Sequence, residues 1–253
     1  MRWNNKKDAV AKEKAMEIEA TTSVKQLFFK FVEHLSIHWR KVATMSLLAD
    51  IERYLCQEFA YFLCSYGNTM AKNGKRAIYA ITDIGRHDRC FDIALIKQGV
   101  KLGERDLVFA LIEAKYATNF QKLPDFGYKT SDNISKNLTK LCGQVLSKID
   151  GDGPLTRNFE IGIRSNKRLV YANMWACFKT SADTSAEQAS AEKKKFFKAV
   201  HDKAYRSNLS WHGKKKSPLL IPVFDDKLVH LGARKYRITL KAGFWVAAIE
   251  NEE

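Results

Sequence analysis

Two apolar runs separated by a glycine-bearing turn constrain this chain more than any other feature. Residues 89 to 97 and 106 to 116 are rich in Ile, Leu, Val and Phe, and the stretch between them, Lys97 to Arg105, holds Gly99 and Gly103. Gly tolerates backbone angles that tight turns need, so the pattern predicts a β-hairpin. With the hairpin centred between Leu102 and Gly103, antiparallel pairing sets Asp92 opposite Glu113, Ala94 opposite Leu111 and Ile96 opposite Phe109. Side chains alternate along a strand. Glu113 and Lys115 therefore share a face, while Ala114 points away and leaves its carbonyl to turn toward an ion at the strand end.

Two carboxylates, a carbonyl and an ammonium converging at one place suit a hard divalent cation. Mg²⁺ takes one or two carboxylates and completes its shell with water and phosphate oxygens, and Mn²⁺ is an acceptable substitute. The D…ExK pattern of Asp92, Glu113 and Lys115 is preceded by a long acid-bearing helix and followed by a further helix. In this it resembles the PD-(D/E)xK nuclease superfamily, also called restriction endonuclease-like, over roughly Leu48 to Phe178. The resemblance implies that Asp92 and Glu113 bind the metal and that Lys115 positions or activates the attacking water. Phe91 stands where the family's leading proline would be.

Two rival tripeptides carry the same spacing. Glu192-Lys193-Lys194 lies in a polar, helix-like run with no strand before it, and Asp225-Asp226-Lys227 follows the strand-like LLIPVF without an acid-bearing hairpin partner upstream. A third acid is expected from the helix predicted over residues 44 to 65. Its apolar positions Leu48, Ile51, Leu55, Phe59 and Phe62 recur at spacings of three and four, and it is expected to end before Gly67. Glu52 lies on the flank of that stripe and is favoured over Glu58. A second helix is predicted over residues 133 to 149, capped by Ser131 or Asp132, with Ile134, Leu138, Leu141, Val145 and Ile149 on its apolar face. Lys136, Lys140, Gln144 and Lys148 form another stripe there, which reads either as a solvated face or as a border to nucleic acid.

Charge points to the partner. The chain carries a net +15, and between Ala191 and Lys241 fourteen Lys or Arg stand against four Asp or Glu, so this fifth of the chain holds +10 of the excess. Lys193, Lys194, Lys195, Lys198, Lys203 and Arg206 decorate a predicted helix. Lys214, Lys215 and Lys216 follow Trp211 in a predicted loop, where the indole could stack on a base. A polyanion is the expected partner, DNA ahead of RNA. No apolar run approaches a membrane span, so no membrane partner is expected, and the assembly is left open between monomer and homodimer.

The first 22 residues are charged and lack the apolar segment of a secretory signal, which predicts an N-terminal extension and a cytoplasmic protein. Residues 23–253 are expected to form one domain. Cys56, Cys64, Cys90, Cys142 and Cys177 have no CxxC spacing and read mostly as small core residues. His87 precedes the Asp92 strand and is expected to be exposed. Further strands are predicted over Arg76 to Thr82, residues 168 to 178, 219 to 224 and 236 to 249, with a helix ending near Arg206. A parallel crossover should bring 168 to 178 beside the ExK strand. The fold class expected is α/β, a mixed central sheet flanked by helices on both faces with a restriction endonuclease-like core. The activity expected is that of a metal-dependent endodeoxyribonuclease. Its alternatives are a nucleic-acid-binding or assembly module that does not cleave efficiently, and an RNA-cleaving or junction-resolving enzyme.

Overall fold

A computed structural model describes residues 24–48, 51–72, 78–84, 91–97, 106–124, 159–161, 167–206, 210–211, 214–215 and 220–250. The N-terminal extension, His87, Cys90, Cys142, Lys216 and the helix expected over 133–149, with Lys136, Lys140, Gln144 and Lys148, lie outside these residues.

Helix α1 covers residues 24–37, α2 covers Trp39–Leu48 and α3 covers Ile51–Lys72. Three strands follow: β1 (Ile78–Ile84), β2 (Phe91–Lys97) and β3 (Asp106–Thr118). After these come β4 (Phe159–Ile161), β5 (Lys167–Ser181), α4 (Ala186–Arg206) and the short strands β6 (Ser210–Trp211) and β7 (Lys214–Lys215). The long hairpin β8 (Ile221–Leu231) and β9 (Arg234–Glu250) closes the order.

The central sheet runs β1-β2-β3-β5-β9-β8 and is mixed, because β3 and β5 are parallel while the other neighbours on this path are antiparallel. The short β4 also runs parallel to β3, beside Asp106–Val108, ahead of the β5 pairing that starts at Leu111.

Two cores lie on opposite faces of this sheet, as the alternation along β5 makes plain. Trp175 and Cys177 enter the core shared with α1, α2 and α3, whereas Met174, Ala176 and Phe178 enter the core shared with α4. Helices therefore cover both faces. The first core is aromatic: Phe31 packs on Phe59 at 4.6 Å between ring centroids and meets Trp175 edge-on at 5.7 Å. On α4 the residues Phe196, Phe197, Val200 and Ala204 recur at helical spacing and are all buried.

Several expectations need correction. The helix expected over 44–65 is two helices, and α3 continues through Gly67 to Lys72 because one glycine costs a helix interior only about 1 kcal/mol. The stripe assigned to Leu48 breaks with it: Leu48 ends α2 and is 59% exposed. A register shift between Leu95 and Ile96 puts Ile96 opposite Val108, not Phe109; the expected Ala94–Leu111 pair lies before the shift and is present. The Trp211 and Lys214 segment expected as a loop is a two-stranded ribbon pairing Trp211 with Lys214, and the sequence between them contains Gly213, a residue tight hairpins favour. Cys64 is exposed, while Cys56 and Cys177 are buried and free.

Candidate active site

The local folding of β2 and β3 decides where the charged groups go. Ile93 and Leu95 of β2 and Ala110, Ile112 and Ala114 of β3 are committed to the first core. By alternation Asp92, Glu113 and Lys115 emerge on the opposite face, the side that α4 covers further along the sheet. Ile93 pairs with Ile112, and continuing that register by one residue sets Asp92 abreast of Glu113.

Beyond Ile112 the β2 ladder stops, and side chains take over the edge of β3. Asp92 Oδ2 accepts the Ala114 N–H at 2.6 Å, and Glu52 Oε2 accepts the Tyr116 N–H at 2.8 Å. These two amides are i and i+2 on one strand and so point to the same edge, as does the Ala114 carbonyl, because a strand residue directs its N–H and C=O to one side. Glu52 arrives there from the first turn of α3, on the opposite side of the sheet from Glu113. The site thus straddles the strand edge, with Asp92, Glu113 and Lys115 on one face and Glu52 reaching in from the other.

Lys115 Nζ donates to Glu113 Oε1, and the two side chains are only 29% and 21% exposed. Burial is the largest influence on Glu113. Asp92 and Glu52 add to it, Lys115 opposes it, and the carboxyl is left pushed up to about 7. Burial also pulls Lys115 down, but Glu113, Glu52 and Asp92 together outweigh it and hold the ammonium above its ordinary value. Three carboxylates thus act electrostatically on one ammonium.

That donor set is made of hard oxygens and carries more negative than positive charge, the chemistry a Mg²⁺ or Mn²⁺ ion requires. Among the described residues no group of three or more His, Cys, Asp or Glu side chains is placed to hold a metal ion by itself. A half-open arrangement of Asp92, Glu113 and the Ala114 carbonyl fits an ion that keeps several waters.

The competing assignments sit elsewhere. Glu58 is engaged by Lys41 at 2.8 Å and by His34 at 3.0 Å. Burial raises Glu58, yet these partners outweigh it and leave the carboxyl below its ordinary value. Glu52, not Glu58, is the helix acid at the β3 edge. Of the rival tripeptides, Glu192-Lys193-Lys194 lies on α4, with Lys193 bonded to Asp225 at 2.8 Å. In Asp225-Asp226-Lys227 of β8, Asp225 also accepts the Thr239 hydroxyl and Asp226 accepts Arg237 at 2.9 Å. Neither tripeptide adjoins the β2–β3 edge. The basic residues Lys194, Lys195 and Lys198 on α4 are exposed, and Lys203 is anchored on the Leu123 carbonyl at 2.7 Å.

Sequence reasoning missed α1, although Val24, Leu27, Phe28, Phe31 and Leu35 recur at helical spacing and are buried. It also missed Lys179, buried near the end of β5. Set beside protein-family models, curated proteins and solved structures, the chain matches none. Among the described residues no helix is long and apolar enough to cross a membrane.

Proposed function

We propose that this chain is a metal-dependent endonuclease of the PD-(D/E)xK kind, hydrolysing phosphodiester bonds in nucleic acid, DNA ahead of RNA. The observation that carries the reading is the convergence of Asp92, Glu113 and Lys115 on one side of the β2–β3 edge, with Glu52 delivered to the same edge from α3.

In this reading Asp92, Glu113 and the Ala114 carbonyl hold the metal. A bound Mg²⁺ supplies Lewis-acid charge to the scissile phosphate and a water of lowered pKa. Lys115, kept protonated by the surrounding carboxylates, directs its ammonium at the attacking oxygen or at the charge that develops on the phosphate. Glu52 holds the strand edge in place through the Tyr116 amide and adds a third acid beside the metal position. The partly buried setting of Glu113 keeps bulk water from screening these charges. The exposed lysines of α4 and the net charge of +15 supply a sequence-independent attraction for phosphates.

One observation favours the second reading, a binding module without efficient cleavage: Lys115 is paired with Glu113. Incubation with supercoiled plasmid, linear duplex, single-stranded DNA and RNA, each with Mg²⁺ and with EDTA, separates the two. Cleavage in Mg²⁺ alone supports the endonuclease. Retention of nucleic acid without cleavage in either condition supports the module.

A further inference from the structure

Lys179 lies near the end of β5, in a setting lysine rarely occupies. It is 8% exposed, and among the described residues no carboxylate pairs with it. Burial pulls its ammonium below the ordinary lysine value. Such a group persists in an interior only where something specific holds it.

Three contacts hold it, and each leads to the candidate site. The ammonium donates to the carbonyl of Ser46 in the last turn of α2, where helix carbonyls lack partners and the helix dipole favours a cation. It also stands 5.9 Å from the ring centroid of Tyr116, the residue whose amide holds Glu52. The backbone of Lys179 is gripped from the other side. Asn119, the first residue past β3, accepts the Lys179 N–H and donates its side-chain amide to the Lys179 carbonyl, both at 2.8 Å. Asn119 lies four residues beyond Lys115, and Ser46 lies six residues before Glu52.

We propose that Lys179 is a positioning residue for the candidate site: its backbone fixes the end of the strand bearing Glu113 and Lys115, while its ammonium fixes the end of α2, the helix that precedes the Glu52-bearing α3. One residue thereby ties together the two elements that must meet at the β3 edge. A neutral apolar side chain of similar length would fill the space but release the end of α2, and the Glu52 carboxylate would leave the Tyr116 amide for part of the time. The consequence for catalysis rests on the nuclease reading; the clamp itself does not.

Backbone amide hydrogen exchange on the full chain tests the clamp without any activity. In wild type the Tyr116 amide is protected by Glu52. Lys179→Met should speed its exchange by about tenfold or more while the Ala114 amide, held by Asp92, changes little. Lys179→Arg, which keeps a donor and a charge, should stay near wild type, and Asn119→Ala should also loosen Tyr116 if Lys179→Met does not fold. Adding Lys179→Met to Glu52→Ala should accelerate Tyr116 no further, since the acceptor is already gone. Unchanged Tyr116 exchange in both Lys179→Met and Asn119→Ala overturns the proposal, as does equal acceleration at Ala114 and across the core, the signature of general loosening. In a cleaving wild type, Lys179→Met should lower kcat by about tenfold with KM little altered, because alignment of a site acid acts on the transition state. A wild type that cleaves nothing removes the nuclease reading and leaves the exchange result to decide the clamp.

Discussion

At the scale of single residues, Glu113 carries the sharpest physical signature. Its carboxyl titrates at about 7 in the folded chain against an ordinary 4.5. Between those values the folded state holds a proton that the unfolded state has already released, so stability falls as pH rises through this window. In EDTA, wild type should therefore lose on the order of 1–3 kcal/mol more stability than Glu113→Gln between about pH 5 and about pH 8. Parallel stability profiles for the two proteins, from urea titrations across pH, would remove Glu113 from the cluster of interacting charges. Mg²⁺ should restore much of the wild-type loss at the higher pH, since a bound cation compensates the buried negative charge on Glu113. The placing of Asp92, Glu113 and Lys115 on one side was legible in the sequence because alternation along a strand leaves little freedom. The depth of Glu113 was not, since burial depends on residues far away in the chain. Lys179 was illegible for the same reason: within FKTS it looks like any lysine at the end of an apolar strand, and its ammonium finds a carbonyl acceptor only through the arrival of α2 above it.

Elements were legible in proportion to how locally their signals arise. The β2–β3 hairpin and the parallel β3–β5 pairing follow from apolar runs, turn glycines and crossover rules. The Leu95/Ile96 shift carries no glycine or proline to betray it, and the break between α2 and α3 interrupts an apolar spacing that continues unbroken on paper. Helix α1 is the opposite case, a readable stripe whose importance shows only in packing. Phe31 and Phe59 are both about fully buried and contact each other, so they couple α1 to α3 and hence to Glu52. Phe31→Ala should cost about 3–5 kcal/mol in equilibrium unfolding, the range for emptying a buried aromatic position. A cost under about 1 kcal/mol would mean that α1 is peripheral to the domain, and the first core would need redrawing.

For the whole molecule, charge and chemistry separate. Of the net +15, +10 lies between Ala191 and Lys241, but the lysines there are not equivalent: Lys193 is held by Asp225, whereas Lys194 and Lys195 are exposed. Neutralising Lys194 and Lys195 should weaken nucleic-acid binding on every sequence and flatten the dependence of log K on log salt by roughly 0.9 per lost duplex contact. Identical slopes in a filter-binding salt titration would assign these lysines to solubility. Cleavage at saturating substrate should survive the change, because a phosphate contact made equally in ground and transition states does not alter the chemical barrier. The proposed metal ligands should behave in the reverse way, and that contrast is the most direct test of the site. Single-turnover cleavage and binding should be measured together for wild type, Asp92→Ala, Glu113→Ala and Lys115→Ala in Mg²⁺. The site described here predicts cleavage lowered by on the order of a hundredfold or more in each variant, with affinity for the uncut substrate largely intact. Full cleavage by Lys115→Ala, or by either carboxylate variant, would contradict it and move the chemistry away from the β2–β3 edge.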